Sequence, residues 1–186
     1  YLTLVIGAAM VGCAGLSRFF KESIQLFQSF LLAGGLAIVF ALFLSWITRG
    51  PVNLSRRDGF GVVTFGWLTV TIFGSLPYLF SGVIEHPISA LFETMSGFTT
   101  TGATILSNLE SIPQSIHFWR HLTQWLGGMG VLILCIAILP FLGVGGMQVF
   151  RAEMTGPSKD RLTPRITTTA KLLWGVYILI SLSEVL

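Results

Sequence analysis

FETMSGFTTTGATIL, residues 92–106, sets three consecutive threonines, a glycine and a fourth threonine between two strongly apolar runs. Thr99, Thr100 and Thr101 are β-branched and favour extended backbone, and Gly102 opens conformations closed to other residues. An extended Thr-Thr-Gly run can aim successive carbonyl oxygens in one direction, as in the selectivity filters where such oxygens replace the hydration shell of potassium. A packing turn between helices has the same composition, so the run by itself leaves both readings open.

The flanking sequence narrows the choice. Residues 81–115 are long for a tight turn, apolar for an exterior loop and short for two crossings. Within them Pro87–Gly97 (PISALFETMSG) predicts a short helix with proline in its first turn, where the missing N–H costs nothing. At ~1.5 Å rise per residue it reaches roughly 16 Å, about half of a ~30 Å bilayer core. A half-length helix followed by polar extended backbone is the pattern of a re-entrant loop, which survives at that depth only when buried in protein or lining a water-filled cavity. The C-terminal end of that helix would add partial negative charge at the same place.

The rest of the chain fits lipid as its solvent. Of 186 residues, 53% are hydrophobic and 10% charged, with a mean hydropathy of +0.80; soluble domains carry about a quarter charged residues. Apolar runs predict spans at Tyr1–Leu16, Ile24–Ile47, Phe60–Phe80, Ile116–Leu139 (ended by Pro140) and Leu172–Leu186. Tyr1–Leu16 has no basic leader or small-residue cleavage site, so it reads as a span and not a signal peptide. Tyr1 and Leu186 break off within apolar sequence, which predicts a segment of a longer membrane protein. Arg49, Arg56 and Arg57 in one connection and Arg151, Lys159, Arg161, Arg165 and Lys171 in another outweigh Arg18, Lys21 and Arg120 on the opposite side. The positive-inside rule therefore places 49–57 and 141–170 in the cytoplasm, with Glu22 softening the Arg18/Lys21 exception. Trp46, Trp119, Trp125 and Trp174 are expected as interfacial anchors.

Other candidates carry less. Glu93, mid-way along the half-length helix, is a costly intramembrane carboxylate; it reads as support behind the loop, accepting hydrogen bonds or biasing the field, or as a structural group away from any ion path. His117 and His121 share a helix face at metal-binding spacing, but no further ligand adjoins them and Arg120 would repel a cation. Gly127, Gly128 and Gly130 read as close helix contacts or as a site of bending. Gly143, Gly145 and Gly146 lack the strand and Lys-Ser/Thr of a phosphate loop. Cys13 and Cys135 lie within apolar runs and read as small packing residues. The net charge of +3 is no nucleic-acid signal, and no enzyme motif or covalent cofactor is expected.

Three strings, ALFETMSGFTTTGAT (90–104), HFWRHLTQWLGGMG (117–130) and LGVGGMQVFRAE (142–153), resemble the bacterial Trk-type potassium-uptake membrane subunit of the Trk/Ktr/HKT superfamily. The likeness runs from about residue 55 to the end, and the first two spans fit the helix pair such proteins carry ahead of the pore. The resemblance implies an all-α polytopic protein of the cell inner membrane with four helix–pore loop–helix repeats around one pore. On that plan residues 1–48 are the extra helix pair, 49–57 a cytoplasmic linker, 58–140 the first repeat, with pore helix 87–97 and filter 99–103, 141–170 a cytoplasmic loop and 171–186 the start of a second repeat. It further implies that Thr100, Thr101 and Gly102 present carbonyls to potassium, flanked by Thr99 and Ala103, and that glycine at 102 favours potassium where serine in the plant branch accompanies sodium. A homodimer and a cytosolic nucleotide-binding regulatory subunit are the partners it implies, the latter a candidate for contact with 151–171, whose plainer role is fixing topology and meeting anionic headgroups. A non-conducting scaffold and an ion-coupled symporter are the competing functions; Glu93 and Glu184 are the only acidic candidates for coupling.

Overall fold

A computed structural model describes residues 2–48, 56–142 and 162–185, with side chains described over 2–48, 61–130 and 168–184. Those residues are helical throughout apart from connections: α1 Leu2–Phe19, α2 Ile24–Ile47, α3 Arg56–Ser81, α4 Pro87–Phe98, a single 3-10 turn Leu109–Ser111, α5 Gln114–Leu142 and α6 Leu162–Val185. No strand occurs among them, so the fold is an all-α polytopic membrane protein. Three of the helices, Leu2–Phe19, Ile24–Ile47 and Gly61–Ser81, are long and apolar enough to cross a membrane. The chain divides into two compact units, 1–125 and 126–186. The second comprises α6 and the remainder of α5.

Lipid-facing helices have no hydrophobic force to drive them together, so they associate through close packing of small residues. α1 and α2 show this directly. A Cβ on Gly34 would stand 2.9 Å from the Gly7 carbonyl oxygen, and one on Gly7 would stand 2.7 Å from Ile38 Cγ1. Ala14, Ala33, Ala37 and Ala41 continue the buried seam, while Leu32, Leu36, Val39 and Phe43 point outward.

The turn between these helices closes with Lys21 in the left-handed region at φ 55°, the Glu22 amide donating to the Ser17 carbonyl at 3.0 Å and the Lys21 amide to Arg18 at 3.2 Å. It delivers the Glu22 carboxylate to the first turn of α5, where Oε1 accepts from the Ser115 amide at 3.1 Å. An anion there meets otherwise unsatisfied N–H groups and the positive helix end. Glu22 thus joins residues far apart in sequence, beyond offsetting Arg18 and Lys21.

α4 lies between α3 and α5 at two glycines. A Cβ on Gly74 of α3 would meet Thr94 Cγ2 at 2.7 Å and Phe98 at 3.0 Å, and one on Gly97 of α4 would collide with the Thr123 side chain of α5. Trp119 corrects the expectation of an interfacial anchor. It is 0% exposed, donates from Nε1 to the Gly74 carbonyl at 3.1 Å and meets Phe30 edge-on at 6.3 Å. Hydropathy placed it near a span end; the start of α5 is instead enclosed by α2, α3 and α4, so the indole's polar edge finds protein where water was expected.

Three boundaries also differ. α5 continues past Pro140 to Leu142, because proline removes one helical hydrogen bond without forbidding a further turn. α3 begins at Arg56 and α6 at Leu162, upstream of their apolar runs, since helix and membrane limits are separate properties. The linker 49–57 and loop 141–170 fall largely outside the described residues, as do Gly143, Gly145, Gly146 and the side chain of Cys135.

Trp119→Phe deletes the bond to Gly74 and leaves a void, and is expected to destabilise the full-length protein by roughly 2–4 kcal/mol. Trp46→Phe, at a position 65% exposed, should change stability by less than about 0.5 kcal/mol. Thermal unfolding of both variants in detergent checks the contrast.

Candidate functional site

α4 is 12 residues long, roughly 18 Å at the helical rise. It starts on Pro87, whose lack of an N–H is harmless at that position. Its C-terminus sets the geometry of everything that follows. Thr99 caps the helix at φ −85°, ψ 1°. The Thr100 amide donates to Gly97 at 3.0 Å and the Thr101 amide to Ser96 at 3.0 Å, the paired bonds of a Schellman ending. That ending requires a left-handed residue, and Thr100 takes it at φ 56°.

The three threonines therefore do not form the extended run expected of them. Glycine is the usual occupant of the left-handed position, but Gly97 falls inside the last turn and Gly102 two residues too late. A β-branched residue is left to absorb a cost of about 1–2 kcal/mol. Gly102 adopts φ 75°, and a Cβ there would meet nothing within 4 Å, so backbone conformation and not space is what favours glycine. Thr99, Thr100, Thr101, Gly102 and Ala103 are all exposed.

Hydroxyl groups brace the turn. Thr99 Oγ1 donates to the Met95 carbonyl at 2.8 Å and lies 2.8 Å from Thr101 Oγ1. A hydroxyl has one proton, so Thr101 is the donor to Thr99. Beyond Gly102 the chain runs back along α4. Ser96 Oγ donates to the Ala103 carbonyl at 2.6 Å, and one turn earlier on the helix Glu93 meets Thr104 and Ile105. The pairing of 96 with 103 and of 93 with 104 and 105 is that of a segment that enters and returns.

Glu93 is 4% exposed and fully engaged. Its carboxylate accepts from Thr104 Oγ1 at 3.0 Å to both oxygens and from the Ile105 amide at 3.0 Å to Oε2. Arg120 Nε of α5 donates to Oε1 at 2.7 Å, making an ion pair. Glu93, Ser96, Gly97, Gly102, Ala103, Arg120 and Thr123 border a cavity of about 60 Å³ behind the loop. The sequence reading missed this pair because it took Arg120 for an outer-side charge and a repeller of cations. Two opposite charges inside apolar sequence were the available signal, since intramembrane charges pair with one another. His117 and His121 stack with ring centres 6.1 Å apart, and a His117 ring nitrogen contacts the Leu109 carbonyl; among the described residues no three His, Cys, Asp or Glu gather.

Comparison with known proteins gives this loop its context. The family model TrkH, described as "Cation transport protein", matches residues 24–186. The chain belongs to the TrkH family. It is 41% identical over 179 residues to the Trk system potassium uptake protein TrkH of Halomonas elongata, covering 95% of this chain and 37% of that protein. It is 47% identical over 150 residues to TrkH of Escherichia coli K12, covering 79% of this chain and 31% of that protein. Against TrkG of Escherichia coli K12 the identity is 33% over 192 residues, covering 98% and 38%. The chain thus spans about a third of the length of these TrkH-family relatives.

Thr100→Gly removes the left-handed strain and is expected to raise stability by about 0.5–1 kcal/mol, the relief exceeding glycine's added unfolded-state entropy. A shift of the thermal midpoint in detergent, upward and not downward, checks it.

Proposed function

We propose that this chain contributes one segment of a potassium-uptake pathway, with the backbone carbonyls of Thr100, Thr101 and Gly102 as ion ligands. The observation that carries the reading is the sign of φ: positive at 100 and 102, with no positive value at 101. A regular strand turns successive peptide groups to opposite sides, whereas alternation of handedness turns them toward one side. Carbonyls collected on one side are what a desolvated cation needs. The stretch is exposed and follows the negative end of α4.

Thr99 and Ala103 flank the ligands in unequal ways. Ala103 has its carbonyl held by Ser96 and serves as an anchor. The relatives' names, as potassium uptake proteins, support potassium as the ion. A single segment can face an ion from one side only, so the reading requires three equivalent segments elsewhere in a chain of the relatives' length. The resemblance extends it to a homodimer and a cytosolic nucleotide-binding regulatory subunit, for which the basic segment 151–171 is the candidate contact on charge alone. Glu93 has its carboxylate held by three donor groups, an engagement that fits support of the loop. No covalent chemistry enters.

The test is Gly102→Ser in a chain of the relatives' full length that contains this sequence. Potassium-over-sodium discrimination in proteoliposome flux should fall on the order of tenfold or more, because serine cannot rest comfortably at φ 75°. Unchanged flux and discrimination would remove the filter assignment.

A further inference from the structure

We infer that Arg120 of α5 is a positioning residue for ion selection, setting the returning limb of the loop through Glu93; this rests on the filter reading above. The limb has few other attachments. Past Gly102, its hydrogen bonds to α4 are those of Ala103 with Ser96 and of Thr104 and Ile105 with Glu93. Two of these three residues are therefore placed by one carboxylate. The direction of that carboxylate is in turn fixed by Arg120, whose Nε lies 2.7 Å from Oε1.

Glu93 cannot hold this orientation from its own helix alone. It has two oxygens, and Thr104 and Ile105 approach from the loop, so without a partner on α5 the carboxylate is free to follow the loop as it moves. Arg120 supplies the fixed reference. Its helix is clamped at this level by Trp119 on Gly74 and by the approach of Gly97 to Thr123. Gly102 and Ala103 border the same cavity as Arg120 and Glu93. At about 60 Å³ that cavity gives the loop room to sag once the tie is cut, and room for water to take the place of the lost donor.

A plain structural ion pair makes a different forecast from a positioning one, and the two can be separated. Removing one partner strands a buried charge and threatens folding, whereas replacing both with apolar groups of similar size is often neutral for stability. The variants are therefore the double substitution Glu93→Leu/Arg120→Met, made in a full-length chain and reconstituted in proteoliposomes, and Arg120→Lys beside it. Lysine keeps the charge but not the planar donor geometry at Nε.

The expected result is a folded double variant, with a thermal midpoint close to the parent's, that still passes potassium but discriminates against sodium on the order of tenfold less well. Arg120→Lys should fall between the parent and the double variant. Parent-like potassium-over-sodium selectivity in Arg120→Lys overturns the inference whatever the double variant shows, because the double variant also removes Glu93's own bonds to Thr104 and Ile105. If the double variant fails to fold, Arg120→Lys alone decides, on the same selectivity readout. Gly102→Ser is the control: if it lowers discrimination while the Arg120 variants do not, only the positioning role falls. If none of the three alters selectivity, the filter reading falls with it.

Discussion

A peptide group without a hydrogen-bond partner is costly wherever water is scarce, and an irregular segment beside apolar helices presents many of them at once. The loop after α4 meets this constraint with side chains drawn from α4 itself. Ser96 satisfies a carbonyl, Glu93 satisfies an amide and a hydroxyl, and the helix's final carbonyls accept the amides of Thr99, Thr100 and Thr101. Much of the local architecture follows from keeping those donors and acceptors in reach. Gly74 and Gly97 let α4 sit close to both neighbours, Trp119 ties α5 to α3, and Arg120 balances the charge that Glu93 brings inside.

The helices were legible in the sequence because their signal is local. A run of apolar residues and a proline in the first turn of α4 each act within one or two helical turns. The TrkH-family strings were equally direct to read. Membrane limits and helix limits are different quantities, however, and hydropathy reports only the first. That is why α3, α5 and α6 extend beyond the apolar runs that announced them.

What the sequence could not disclose are the ties made across distance. The Glu93–Arg120 pair joins α4 to α5, and Glu22 of the α1–α2 turn reaches Ser115 across a long stretch of sequence. Charge within apolar sequence marks Glu93 and Arg120 as groups in need of partners, but nothing in their spacing says that they meet each other. The same holds for Trp119, whose burial depends on three helices closing around it. Local propensity was overruled in the threonine run as well. β-branched residues prefer extended backbone, but the helix ending demands a left-handed residue at position 100, and the two hydrogen bonds it completes outweigh the preference.

That helix ending has an electrostatic consequence. With the amides of residues 99, 100 and 101 all turned inward onto the carbonyls of Met95, Gly97 and Ser96, donors and acceptors of the turn are sorted by direction. Three of the helix's final carbonyls, those of Met95, Ser96 and Gly97, are covered, so its dipole does not act on the outside as a wholly bare end. Each covered carbonyl instead polarises the peptide group whose N–H it holds, and peptide groups linked in series reinforce one another. The negative potential of α4 is thereby relayed through the turn and re-emerges on the oxygens of the loop, several ångströms beyond where the helix stops.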